Sequence, residues 1–320
     1  MRKSITLLVT DQLAGRTIKE ILRQHLGLTS RQVSRAKFRP DGICVNGKQE
    51  FVTFRPGTKD LLEIRLDDLA DETAGSVNLA PSFRPLCILR EDDDLLVLDK
   101  PAGLSVHPCG SQQKDSLANR VVGYYQKKGD FIRARVIGRL DQDTSGIVLF
   151  AKNQVAAYRL TEQRRQNHLN KQYLAIVRGT LEKKQGTICA PLLEAPGLPP
   201  RMMVDKKGKY AETHYEILKE YPGYSLVRCR LVTGRMHQIR VHMAFAGHPL
   251  LGDPLYHDDC HADDFHTDDF YTDIFHASDK APLIARAALH CDQLTFSHPF
   301  SGQTISCTAP VPEDFRLLLI

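Results

Sequence analysis

The chain has 320 residues, 42% hydrophobic and 25% charged, with a formal charge of +5. That is globular composition, long enough for a sizeable core and two domains, and it excludes a disordered or fibrous chain. The mildly basic balance leaves partners of either sign open. No apolar run approaches the roughly 18 residues of a membrane-spanning helix. The first apolar stretch, ITLLV, is five residues long, short of the about 7–15 that a secretory signal needs. A cytoplasmic protein with no membrane partner is expected. No two of the eight cysteines lie closer than sixteen residues, so neither a disulfide framework nor a zinc cage is expected.

Residues 1–65 hold 13 Lys/Arg against 6 Asp/Glu, a net of +7, so the other 255 residues sum to −2. Phosphate neutralisation is the usual reason for such a concentration; a solvated basic surface is the plainer alternative. In GRTIKEILRQHLG, Ile18, Ile21, Leu22 and Leu26 share one helical face. Thr29 or Ser30 then caps a second helix, SRQVSRAK, carrying Arg31, Arg35 and Lys37. DGICVNGKQ reads as a short strand between Asp-Gly and Asn-Gly turns. RPGTKDLLEIRL ends in an alternating strand. These roughly 55 residues resemble the S4-like RNA-binding domain, which makes Arg31, Arg35 and Lys37 candidate RNA contacts. Residues 66–84, acidic and then rich in Ala, Ser and Pro, read as a linker that tethers the first module to a domain over 85–320.

That second domain contains four stretches of interest. CILREDDDLLVLDKPAGLSVHP (87–108) is a strand, a tight PAG turn and a short strand. GRLDQDTSGIVLFAKN (138–153) sets Asp141 just ahead of an apolar run. NKQYLAIVRG (170–179) is an alternating strand with Tyr173, Ala175 and Val177 on one face. In LVTGRMHQIRVHMAFAGHPLLGDPLY (231–256), a TGR turn leads into a helical HQIRVHMAFAG. A later segment, ALHCDQLTFSHPFSG (288–302), reads as a strand and a turn. Taken singly, each has a plain structural explanation. KPAG is a turn, Tyr173 a core aromatic, and His237 and His242 are satisfied structural histidines.

Taken together and in this order, the four stretches resemble the RluA family of pseudouridine synthases, from about residue 85 to 315. The pairing of RLDQDTSG with TGRMHQIRVH is the specific part. The resemblance implies an α+β pseudouridine synthase fold, with a mixed, mainly antiparallel central sheet, behind the small S4-like α/β module. It implies isomerisation of a uridine already in RNA, large-subunit ribosomal RNA first and transfer RNA as the alternative, with no cofactor and no metal. No protein partner is implied, and a monomer is expected. Asp141 is the implied catalytic carboxylate. Inside a pocket, desolvation works against a carboxylate charge, so a cationic partner is required. The resemblance assigns that partner to Arg240, as a buried two-toothed pair. Tyr173 is the implied ring beside the target uracil. Arg139 lies two residues before Asp141, on the same side of an extended segment. It is the implied plug for the space left by a flipped base. Leu140 then faces the core, and Thr144–Gly146 form the turn that fixes Asp141 and Arg139. Arg235 and His237 are implied to hold RNA or that turn. One residue departs from the family: Gly138 stands where a histidine usually precedes the Arg-Leu-Asp.

Residues 256–280 divide into pentads, YHDDC, HADDF, HTDDF, YTDIF and HASDK, with eight aspartates and four histidines. A spacing of five suits neither i+3 nor i+4 pairing on a helix, so a surface insertion is expected rather than a metal site. Two other functions remain open at this stage. One is an RNA-binding or ribosome-assembly factor without catalysis. The other is a metal-dependent hydrolase using the pentads.

Overall fold

The basic N-terminal segment builds its own small sheet. The computed structural model describes residues 4–26, 28, 30–65, 79–109, 114–130, 133–197, 200–256 and 284–320. Strands β1 (Ser4–Leu8), β2 (Ile43–Val45), β3 (Lys48–Gln49) and β4 (Leu61–Arg65) pair antiparallel in the order β1–β4–β2–β3. Asn46 and Gly47 close the β2–β3 hairpin with φ of 51° and 79°. Positive φ at both central positions matches the twist of the flanking strands. Helix α1 (Ile18–Glu20) starts at a reciprocal Thr17–Glu20 capping box and continues as a π-helical turn, Ile21–His25. Ile18, Ile21, Leu22 and Leu26 are buried together with Val33, Ile43 and Ile64, so the expected apolar face is the seated one. Helix α2 (Ser30–Lys37) begins at Ser30 itself. Thr29 and the Arg31 side chain lie outside the described residues.

The second sheet has ten strands. They are β5 (Cys87–Glu91), β6 (Leu95–Lys100), β7 (Arg135–Ile137), β8 (Ser145–Ala151), β9 (Asn170–Arg178), β10 (Gln185–Cys189), β13 (Glu212–Tyr221), β14 (Tyr224–Leu231), β15 (Leu289–Ser297) and β16 (Thr304–Thr308). Strands β11 (Leu192–Ala195) and β12 (Arg201–Val204) pair separately. The main order is β10–β13–β14–β9–β15–β8–β6–β5, with β7 added to β8 and β16 to β15. Its strand pairings are antiparallel except β15 with β8. The sheet is therefore mixed and mainly antiparallel, and with its helices the chain is α+β, as expected. Those helices are α3 (Leu117–Lys127), α4 (Gln154–Arg165), α5 (Gln238–Phe245) and α6 (Glu313–Leu318).

Strand β9 shows how the pleat sorts its residues. Tyr173, Ala175 and Val177 enter the main core, while Leu174 and Ile176 join a second cluster with Ile284 and Phe315. Every residue of β8 is buried, as its unbroken apolar run requires of a central strand.

The stretch 79–84, within the expected linker, is fixed along α3. Ser82 N donates to Asn119 O at 3.0 Å, Ser82 Oγ to Asp115 Oδ1 at 2.6 Å, and Asn119 Nδ2 to Ala80 O at 2.7 Å. The N-terminal module is also seated rather than only tethered. Val155 of α4 is buried in the module's apolar cluster. Arg159 donates to Leu26 O at 2.7 and 3.0 Å and to Pro299 O at 2.7 Å. The pentad segment, apart from Tyr256, falls outside the described residues.

Gly146 closes a tight crossing of β8 and β15. Its φ is 105°, and a Cβ there would lie 2.2 Å from Cys291 O. We expect Gly146→Ala to lower stability by about 1–3 kcal/mol or more, through backbone strain and overpacking. Urea unfolding followed by circular dichroism measures this.

Candidate active site

Asp141 rides on the loop between β7 and β8. Leu140 is only 7% exposed and packs into the main core, so its neighbours Arg139 and Asp141 turn outward. Both line a cavity of about 160 Å³, smaller than the roughly 300–1,000 Å³ of drug-sized ligand sites. Tyr173, Arg235 and His237 line the same cavity, with Arg164 and Lys171 beside them. Five of the expected site residues thus converge. The expected turn ends two residues early: Thr144 N donates to Asp141 O at 3.2 Å, and Ser145 and Gly146 already belong to β8.

Two cations hold this loop by its backbone. Lys100, at the end of β6, is 0% exposed. Its Nζ donates to Gln142 O (2.8 Å), Leu104 O (2.8 Å) and Pro101 O (2.9 Å). Arg286 donates from Nη1 to Asp143 O at 3.1 Å, while its Nε and Nη2 fork Asp314 at 2.6 and 3.0 Å. Burial pushes the Lys100 ammonium down to about 7, opposed by the charges of Asp143 and Asp141. KPAG reads as a turn in the sequence, and no pattern there marks its lysine. Nothing in the sequence around Arg286 marks it.

Arg240 corrects one expectation. Its fork is filled by Asp253, not Asp141: Nε and Nη2 reach the two Asp253 oxygens at 2.7 and 2.6 Å. Both residues are buried, and the Arg240 guanidinium also lies 5.1 Å from the Tyr256 ring. Arg240 does not line the cavity. Asp141 is close enough to act on it as a charge, and with Asp253 it raises the Arg240 pKa against desolvation. Asp253 and Tyr256 both come from GDPLY, whose sequence alone gives neither a role.

The TGR turn is organised by Gln238. Its Oε1 accepts from Thr233 Oγ1 (2.8 Å) and Arg235 N (3.0 Å), and its Nε2 donates to Glu212 O (2.9 Å) and Thr213 Oγ1 (3.0 Å). Arg235 Nε reaches Tyr210 O at 3.1 Å. His237 caps α5 with a left-handed φ of 53°, a costly conformation for a residue with a side chain. Its Nδ1 lies 2.8 Å from Tyr256 Oη, and burial pushes its pKa down. His242 proves structural, held between Thr213 Oγ1 (2.9 Å) and Ala190 O (3.0 Å). Deep in the site, burial pushes the Tyr173 hydroxyl well up, with the Cys291 thiol as the next cause. Gly138 takes φ of 78°, and the Arg164 guanidinium packs within 3.6–3.7 Å of where its Cβ would be.

Among the described residues, Asp92, Asp94 and His298 form a three-residue group of metal-ligating type. None of the three lines the cavity. Its atoms are largely committed: Asp92 Oδ1 accepts from Asp94 N and Leu95 N, and Asp94 Oδ1 accepts from Asn153 Nδ2.

The Lys100 clamp predicts a pH dependence. The folded chain holds this base near 7, below its free value of 10.5. Between those limits the unfolded chain binds more protons, so the lysine's contribution to stability rises with pH across that window. Denaturant titrations of wild type and Lys100→Met from pH 6.5 to 10 measure the difference. The stability gap should move in favour of wild type as pH rises.

Comparison with known proteins places the chain in a family. A family model described as RNA pseudouridylate synthase matches residues 94–245. The ribosomal large subunit pseudouridine synthase D of Nitrosomonas europaea is 36% identical over 99% of this chain and 87% of its own. An uncharacterised RNA pseudouridine synthase of Bacillus subtilis is 37% identical over 78% of this chain and 76% of its own. Among solved structures, human RNA pseudouridylate synthase domain containing 4 superposes with a TM-score of 0.57 at 24% identity. It covers 72% of this chain and 90% of its own, a likeness of fold. With near-full-length relatives above 30% identity, the chain belongs to the RluA family of pseudouridine synthases and is an RNA-modifying isomerase.

Proposed function

We propose that the chain isomerises a uridine of large-subunit ribosomal RNA, with Asp141 as the reacting carboxylate. It would act as a cytoplasmic monomer with no obligate protein partner. The observation that carries this reading is the convergence of Asp141, Arg139 and Tyr173 on one small cavity. The ribosomal substrate rests on relatives, in Nitrosomonas europaea and Escherichia coli, that are named for the large subunit and align with 99% of this chain.

The reaction breaks N1–C1′ and joins C5 to C1′. The hydrogen on C5 leaves as a proton and N1 gains one, so atoms and charge balance with no added group. Asp141 opens the reaction, either by attack on the nucleoside or by removing the C2′ proton. Arg139, exposed at the rim, takes the place of the flipped nucleotide. Tyr173 forms a wall against the base. Arg240, Asp253 and Tyr256 act from behind, fixing a positive charge within reach of Asp141. Arg235 and His237 hold the facing turn.

The first module, in this reading an S4-like domain, docks the RNA backbone. Its net charge of +7 is joined by two aromatic rings open to solvent, Phe38 at 75% and Phe51 at 82% exposure. Lys37 Nζ lies 4.5 Å from the Phe38 ring. Charge beside an exposed ring is the surface that single-stranded RNA favours. Arg35→Gln and Lys37→Gln should each weaken binding and flatten the plot of log affinity against log salt by about 0.7–0.9. Filter binding across a salt series measures it. An unchanged slope would remove both residues from the interface.

Ribosomal RNA transcribed with uridine tritiated at C5 tests the catalytic reading. Wild type should release tritium to water with chelator present, and Asp141→Asn should release it about a hundredfold more slowly or worse. Equal release by both proteins would sink the role of Asp141. No release by wild type would favour a factor that binds RNA without modifying it.

A further inference from the structure

We propose that Lys171 is the hydrogen-bond donor that grips a carbonyl oxygen of the flipped uracil. The inference rests on the synthase reading of the cavity. Lys171 and Tyr173 stand on the same face of β9, and both line the cavity. An ammonium carries three donors. Among the described residues, the hydrogen bond of Lys171 Nζ is to Ile147 O, at 3.4 Å, beyond the usual 2.7–3.2 Å. Two donors therefore remain for an occupant of the cavity. Burial pushes the Lys171 pKa down, as it must for a cation this poorly solvated. An oxygen acceptor at Nζ offsets that cost, so the site gains most when a carbonyl fills it.

Uracil offers such carbonyls at O2 and O4. Isomerisation turns the ring about its N3–C6 axis so that C5 replaces N1 at C1′. The same turn exchanges the positions of O2 and O4. A single fixed donor therefore meets a carbonyl in either orientation, and the base can turn over without leaving the cation unpaired. Cytosine would bring an amino donor to that point in one of its two orientations. A site that must donate rejects such a base strongly.

The test replaces the single target uridine of an RNA fragment with 2-thiouridine or 4-thiouridine. Sulfur is a weak acceptor. Single-turnover rates are read by nuclease digestion and chromatography of the nucleosides. Wild type should be slowed about tenfold to a hundredfold by sulfur at the gripped position. Lys171→Met should be slow on uridine but show no further slowing with sulfur there. Lys171→Arg should recover the sulfur penalty, and Lys171→Gln, which keeps a neutral donor, should recover part of it. The Gln variant keeps the proposal readable if the Met variant does not fold. Loss of the penalty in either thio series supports the proposal and names the oxygen. Penalties in Lys171→Met equal to wild type in both series overturn it, even where the variant is slower or melts lower. So does a wild type indifferent to both sulfurs. Wild type inactive on plain uridine would instead sink the synthase reading beneath it.

Discussion

The site depends on buried cations that hold a loop by its main chain. Lys100 and Arg286 donate to the carbonyls of Gln142 and Asp143, the two residues after Asp141. A carbonyl has no alternative partner once it is taken from water, so each such bond fixes backbone position as well as energy. Leu140 supplies the third constraint by filling the core beneath the loop. With three points fixed, Asp141 has little freedom to leave the cavity mouth.

A second, similar arrangement faces the first. Arg240 is forked by Asp253 and lies against Tyr256, so its charge is fixed in place before any RNA arrives. His237 sits in a left-handed conformation at the head of α5. That strain is sustained by the Tyr256 hydroxyl on one side and the Gln238 hydrogen-bond set on the other. Residues that are costly to hold in place persist where the surroundings over-determine them, which is a mark of pre-organised sites. Tyr256 links the two ideas, since one ring serves both the histidine and the arginine.

The sequence disclosed what periodicity and motif order can carry. The apolar faces of Ile18–Leu26 and of Tyr173–Val177 follow from spacing alone, and both are buried where spacing places them. The mixed sheet and the convergence of Asp141, Arg139, Tyr173, Arg235 and His237 follow from the family motifs. What escaped was pairing across the chain. Arg240 and Asp253 stand thirteen residues apart, and no local pattern shows that this carboxylate, and not Asp141, enters the fork. Lys100 and Arg286 escaped for a related reason. Each acts on main-chain carbonyls, and a carbonyl carries no sequence signature. Lys100 looked like the start of a turn because its chemistry lies 42 residues away, at Gln142.

Helix α4 brings the two modules into one frame. Its first turns serve the N-terminal module: Val155 enters that module's apolar cluster, and Arg159 bonds the carbonyl of Leu26. Its last turn serves the cavity, where Arg164 packs beside Gly138 and Gly234. The helix has 12 residues, about 18 Å at 1.5 Å per residue. Between those attachments it contains neither proline nor glycine, so it behaves as a rigid spacer. The module's seat therefore stands at a set distance from the cavity rather than at the end of a free tether. On the proposal that Asp141 reacts and the N-terminal module docks the RNA backbone, a rigid spacing of this kind restricts which uridine reaches Asp141. On that same proposal, site choice follows from the shape of the RNA between two fixed points, as suits structured RNA, whose deep groove hides its base edges.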